Sequence, residues 1–366
     1  MRRTSPRPFE KVLLHVGLPK TGTTSIQQSL LVNRNTLEAE GVLVPRFEEA
    51  GAEFGTTNAS LFLNAVLGAP MSEKRKLVYE RNLATFQRTI NSRPYDVETL
   101  VLSGEAISMW SEEELRRFWE WGHAAQWWNE QTEFKLLYVA RNFVEWFRKI
   151  AEQRVLNAPK VDDLMQLRVH MRHQVLTFKS SAEAVFGEEC MAFGSFESWC
   201  ASEGGLLQRF SEWLGASLPQ RDFAANPSRS YEVLRLLRAL GPEWPNRSIF
   251  ANQLRHLPAL KPAWRADEAD DMVRFWQPVA EQWTALTGCE VLSNLSSTLD
   301  LSSPQLWSAS FLDTLEACVA ARRNWRMRRP ELQRAFEQMV HEEGEHWAPE
   351  TFERVQAFVR RLEENS

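Results

Sequence analysis

The sequence predicts an α/β protein built on a central, mostly parallel sheet flanked by helices. Three observations point there. Short apolar runs end repeatedly in small or polar residues, each run is followed by a segment with apolar residues at helical spacing, and the first junction is a glycine-bounded loop. In sheets of this kind ligands collect outside the carboxyl ends of the strands, so chemistry is sought at those ends.

The first strand covers Val12 to Val16 in "KVLLHVG" and stops at Gly17. After the loop, Ser25 to Leu37 carries Ile26, Leu30 and Leu31 at helical spacing and predicts a helix. "GVLVP" at 41–45 reads as a second short strand, "EAGAEFGTTNASLFLNAVLG" as a loop leading into a helix, and Lys74 to Ser92 as a polar amphipathic helix. "ETLVLSGEAIS" at 98–108 is again strand-like and is followed by the helix-opening "SEEEL". "FKLLYVARN" at 134–142 repeats the theme, with a strand over Leu136 to Ala140, a polar turn and the helix "VEWFRKIAEQRVL". Beyond 155 the chain reads as mainly helical, with one more strand near "CMAFGSF" at 190–196 and a compact helix, "GGLLQRFSEWLG", closed by glycine at 215. "SNLSSTLDLSSPQ" is serine-rich and turn-like, and charge-rich helical segments follow it. The expected organisation is an α/β domain over 1–295 and a helical C-terminal extension over 296–366, without internal repeats.

The 366 residues can bury a sizeable core, and a composition 43% hydrophobic and 25% charged is ordinary for a globular chain, which excludes disordered and fibrous classes. A net charge of −5 argues against a nucleic-acid backbone as main partner, because such binding rests on dense Lys and Arg. The four cysteines, Cys190, Cys200, Cys289 and Cys318, form no C-x-x-C pair and read as reduced thiols. No apolar run approaches a membrane span, and the run after the basic "MRRTSPRPFEK" is too short for a signal peptide. The expected setting is therefore cytoplasmic.

"GLPKTGTTSIQQ" has the layout of a phosphate loop with its lysine displaced. A nucleotide-triphosphate loop reads G-x-x-x-x-G-K-[ST]. Gly17 and Gly22 have that spacing, but Thr23 follows Gly22, and Lys20 stands two positions before it. A strand-to-helix loop offers backbone N–H groups and the positive helix end to an anion, and Thr21, Thr23, Thr24 and Ser25 add hydroxyls. The arrangement that clamps a γ-phosphate and Mg²⁺ is not encoded.

"GLPKTGTTSIQ" resembles the 5'-phosphosulfate loop of the sulfotransferases that use 3'-phosphoadenosine 5'-phosphosulfate (PAPS), in their bacterial branch. The resemblance implies a three-layer P-loop-like fold, PAPS as donor and 3'-phosphoadenosine 5'-phosphate (PAP) as product. It also implies donor binding by Pro19, Lys20, Thr21, Gly22, Thr23, Thr24 and Ser25, with Lys20 touching the 5'-phosphate and the oxygen that bridges to the sulfuryl group. "RNFVEWFRKIAEQ" is similar to the family's second motif: Arg141, Trp146 and Gln153 match, and Lys149 stands where a serine is usual. Arg141 and Lys149 are thereby implied as 3'-phosphate ligands, Lys149 as a point charge. "VLSGEAIS" resembles the segment that carries a glutamate near the transferred group, which makes Glu105 the implied base. "GGLLQRFSEWLG" and "NPSRSYEVLRLLRAL" look like downstream segments of the same branch, so the resemblance runs over about residues 10 to 290.

The implied activity is sulfuryl transfer to a hydroxyl or amine of an acceptor such as a carbohydrate or small metabolite, with no metal required. Two alternatives stand beside it: a nucleotide-dependent kinase, and a non-catalytic nucleotide- or glycan-binding descendant. His15 reads as a packed strand histidine rather than a base, and Trp146 as core or groove wall. "HMRH" and "HEEGEH" lack a zinc-enzyme spacing. The acceptor would be read by 46–75, 155–180 and 245–265, which spell no substrate class, and the oligomeric state is not encoded legibly.

Overall fold

The computed structural model describes residues 7–48, 56–70, 72–157, 164–219, 231–241, 243–254, 264–292 and 298–364. Parts of 46–75, 155–180, 245–265, "NPSRSYEVLRLLRAL" and "SNLSSTLDLSSPQ" lie outside the described residues. Five strands, β1 (Lys11–His15), β2 (Val42–Leu43), β3 (Thr99–Ser103), β4 (Glu133–Ala140) and β5 (Met191–Ser195), make one sheet in the order β2-β3-β1-β4-β5. Every pairing in it is parallel. Val12, Leu13 and Leu14 of β1 are all buried, as a central strand covered on both faces requires. After β1 the chain goes to the edge strand β2 and returns to β3 beside β1, then crosses to β4 and β5 on the other side, so the order switches at β1. His15 stands in register with Ser103 on one side and Leu137 on the other. The three strand ends singled out in the sequence are therefore neighbours.

Between β1 and β2 run α1 (Thr23–Val32) and α2 (Arg34–Ala39), and between β2 and β3 run α3 (Ser60–Val66) and α4 (Glu73–Asn91). β3 leads into a 3-10 turn (Glu105–Met109) and α5 (Glu112–Ala124). α6 (Phe143–Asn157) and α7 (Leu164–Phe186) separate β4 from β5, which is followed by α8 (Phe196–Ala201) and α9 (Gly205–Leu214). The expected single helix over 25–37 is two. Asn33 leaves helical backbone, with φ −96° and ψ 6°, and caps α1 by giving both its N–H, at 3.1 Å, and its Nδ2, at 2.9 Å, to the Ser29 carbonyl. β4 begins at Glu133, earlier than expected, because parallel pairing with β1 sets Glu133 opposite Lys11, with Lys11 Nζ 3.1 Å from its carboxylate. "SEEEL" opens α5 through a capping box: Ser111 Oγ accepts from Glu114 N–H, and the Glu114 carboxylate accepts from Ser111 N–H at 2.8 Å.

The chain forms two compact units. One, comprising 1–143, 169–225 and 278–292, contains the sheet; the other comprises 144–168, 226–277 and 293–366. Within the second lie α10 (Tyr231–Ala239), α11 (Arg247–Leu254), β6 (Trp264–Arg265) paired with β7 (Thr298–Leu299), and most of α12 (Ala266–Thr287). It also holds nearly all of α6, the start of α7, and α13 (Ala309–Ala321), α14 (Arg323–Arg326), α15 (Arg329–Glu343) and α16 (Pro349–Glu364). Its core joins Val233, Leu237 and Phe250 to Phe311, Leu315, Trp325, Phe336 and Phe358, all fully buried. Among the described residues no helix is long and apolar enough to cross a membrane.

Candidate functional site

The β1–α1 loop is fixed at its base and open at its helix end. Val16 and Leu18 donate their N–H groups to the β4 carbonyls of Leu137 and Val139, at 2.9 and 3.0 Å, which extends the pairing of β1 into the loop. Thr21 Oγ1 donates to the Leu18 carbonyl at 2.5 Å and closes the turn internally. Lys20 and Gly22 both adopt left-handed backbone, with φ of 70° and 78°. The positive φ at Gly22 favours glycine, and a Cβ there would stand 2.2 Å from Leu206 Cδ2, which would have to shift. Gly22 is the N-cap of α1, has no side chain to cap it, and no acidic residue occupies the first turn. Among the described residues the first-turn N–H groups of Thr23, Thr24 and Ser25 thus have neither an intrahelical nor a side-chain partner, which leaves the helix's positive end to an anion. Lys20 and Thr24 are exposed, Pro19 and Ser25 half-buried, and Thr21 and Thr23 buried.

Glu105 opens the 3-10 turn after β3 and accepts a hydrogen bond from the Thr23 hydroxyl. The structure therefore brings the implied base to the first residue of α1. The turn itself is held from α3, where Ser60 Oγ accepts from Ala106 N–H at 3.2 Å.

Arg141, at the end of β4, also reaches the loop. Its Nη1 donates to the Lys20 carbonyl at 2.7 Å, its Nε lies 3.5 Å from Glu197 Oε1, and its guanidinium sits 5.0 Å above the Phe196 ring. Glu197 Oε2 in turn accepts from Asn142 N–H at 3.0 Å. Glu197 and Phe196 were not singled out in the sequence. The strand "CMAFGSF" was, and its carboxyl end, a fourth strand end beside β4, was the available signal. Lys149 is half-buried on α6 and belongs to the second unit, whereas Arg141 belongs to the first. Trp146, also of the second unit, is fully buried against Trp276 at 5.9 Å, a core position. The Gln153 side chain lies outside the described residues.

Beneath the loop is a buried polar row. His15 Nδ1 lies 2.9 Å from Ser103 Oγ, which also accepts from Gln27 Nε2 at 3.3 Å. Burial pushes the His15 pKa down to about 3, so the imidazole is neutral.

No family model matches the chain, and no curated protein matches it. Among solved structures it aligns with a sulfotransferase from Alicyclobacillus acidocaldarius over 78% of this chain and 97% of that one, with 13% identity and a TM-score of 0.43. The sulfotransferase domain from the curacin biosynthetic pathway aligns over 60% of this chain and 80% of its own, with 11% identity and a TM-score of 0.35. Both likenesses lie below the level from which a shared function follows.

Proposed function

We propose that this chain is a cytoplasmic sulfotransferase that moves a sulfuryl group from PAPS to a hydroxyl or amine of an acceptor. The observation that carries the reading is the β1–α1 loop, glycine-bounded and uncapped at its helix, with its lysine at position 20 instead of after Gly22. The donor's 5'-phosphosulfate suits that cradle: the first-turn N–H groups of α1 have no partner among the described residues, Gly22 leaves no Cβ in the way, and Lys20 is an exposed cation. Pro19, Thr21, Thr23, Thr24 and Ser25 complete the donor site in this reading, and Arg141 and Lys149 take the 3'-phosphate. In the reaction the donor's bridging S–O bond breaks, an S–O or S–N bond to the acceptor forms, and the acceptor's proton goes to Glu105.

Lys20 neutralises the charge that gathers on the departing phosphate, and the loop N–H groups share that task without a metal. Glu105, tied to Thr23, keeps the base beside the donor loop. A second reading, a non-catalytic nucleotide-binding protein, is favoured by one feature: Lys149 replaces the usual serine while Arg141 is engaged by Glu197 and the Lys20 carbonyl. Calorimetry with PAP, and separately with ATP and Mg²⁺, tests the donor assignment. Binding of PAP in preference to ATP is expected, and preference for ATP with Mg²⁺ would assign a kinase instead.

A further inference from the structure

Between Arg322 and Arg329 five of eight residues are arginine and none is acidic, in a chain whose net charge is −5. The stretch runs from the end of α13 through α14 to the start of α15, all within the second compact unit. Its arginines divide by what they touch. Arg328 supports the fold: its Nη1 donates to the Glu243 carbonyl at 2.7 Å and lies 3.1 Å from the Glu331 carboxylate. That pair, three residues apart, is how a solvated charge run on a helix is ordinarily balanced. Arg322, Arg323 and Arg326 have no side-chain hydrogen bond and no ion pair among the described residues.

Arg322 and Arg323 line a cleft of about 270 Å³ together with Asn246, Asn324 and Trp325. Trp325 fixes its frame. It is fully buried, donates its indole N–H to the Pro245 carbonyl at 3.1 Å, and meets the Phe250 ring edge to face at 5.0 Å between centroids. The Arg322 guanidinium lies 4.7 Å from the Trp325 ring centroid, a contact that occupies a face of the guanidinium and none of its N–H donors. Asn246 holds left-handed backbone, φ 52°, with its carbonyl taken by Phe250 N–H at 3.0 Å. Two guanidiniums and two amides thus line the cleft, and among the described residues none of the four has a side-chain hydrogen-bond partner.

We propose that this cleft binds a phosphate group, with the forks of Arg322 and Arg323 on its oxygens and the amides of Asn246 and Asn324 donating beside them. A phosphate monoester carries about −1.5 to −2 near neutral pH, which matches two uncompensated guanidiniums. The cleft is smaller than the roughly 300–1,000 Å³ of sites that enclose a whole drug-sized ligand, so it takes the group and leaves the rest of the molecule outside. The site lies apart from the proposed chemistry and does not rest on the proposed function.

Phenylglyoxal modifies arginine side chains, and mass spectrometry of the peptides reports each arginine separately. Inorganic phosphate, compared with chloride at equal ionic strength, should slow modification of Arg322 and Arg323 in the full chain at least about fivefold, as mass action gives at about four times the dissociation constant. Arg326 belongs to the same charge run but does not line the cleft, and its rate should not change. The readout is at these arginines, so phosphate taken up by the β1–α1 loop is not counted. Arg323→Ala, at an exposed position, should abolish the protection of Arg322, and Arg326→Ala should leave it intact. Glycerol phosphate and phosphatidylcholine vesicles containing phosphatidic acid identify the source. Protection by glycerol phosphate assigns a soluble ester, protection by the vesicles alone assigns a lipid headgroup, and either supports the site. Equal slowing of all three arginines would show a screened charged surface and overturns the proposal. No slowing by any of the three probes overturns it too, as does full protection of Arg322 in Arg323→Ala.

Discussion

At the scale of single residues, the placement of charge decides what the site can do. Two cations, Lys20 and Arg141, and two carboxylates, Glu105 and Glu197, follow the carboxyl ends of four strands, and only Lys20 among them is exposed. Glu105→Gln keeps the bond to Thr23 available, because the amide oxygen still accepts, but removes the proton acceptor. Turnover should fall about 10²- to 10⁴-fold with PAP affinity retained, which steady-state kinetics and calorimetry together would establish. Loss of PAP binding in this variant would recast Glu105 as a support of the loop. His15 makes a separate prediction about stability. Its folded-state pKa is near 3 against an ordinary 6.5, so between those values the unfolded chain takes up a proton that the folded chain refuses. Stability therefore rises with pH through that window, by at most about 1.4 kcal/mol per pH unit from this one group. Urea unfolding across the window should give a flatter profile for His15→Gln, and an unchanged slope would deny that the wild-type ring stays neutral.

At the scale of elements, the site is made by strand ends that register brings together. The loop was legible because its information is local: two glycines, a lysine and hydroxyls in nine residues, at the end of an apolar run. The Ser111 cap was legible for the same reason, since both partners lie within one turn. The His15–Ser103 contact was not, because it depends on β1 and β3 being adjacent and in register across 88 residues. Glu197 was missed likewise, its partners Arg141 and Asn142 being brought to it by the pairing of β4 with β5. The short α8 thus braces the end of β4 through one carboxylate. Glu197→Ala should cost about 1–3 kcal/mol in urea unfolding, since Asn142 N–H loses this acceptor and the Arg141 guanidinium its ion-pair partner. Wild-type stability in that variant would reduce the Arg141–Glu197 pair to a surface contact.

At the scale of the whole molecule, the α/β fold class follows from the alternation of strands and helices, and the sheet has the parallel order that alternation requires. The expected division at 295 is a matter for experiment. Helices α10 and α11, before that point, share a core with α13 to α16, after it, through residues such as Val233, Phe250, Phe311 and Phe336. A chain ending at 295 would expose those apolar faces to water at about 25 cal/mol per Å². We expect it to aggregate or to bind a hydrophobic dye, whereas a monomeric, cooperatively unfolding fragment would establish 1–295 as an independent domain. The central claim, transfer of a sulfuryl group with Lys20 at the leaving phosphate, is tested most directly with sulfur-labelled PAPS and a fractionated metabolite extract. The wild-type chain should move label into an acceptor fraction, and Lys20→Ala should do so at least about 10²-fold more slowly. Label transfer by Lys20→Ala at the wild-type rate, or no transfer by a wild-type chain that binds PAP, would contradict it.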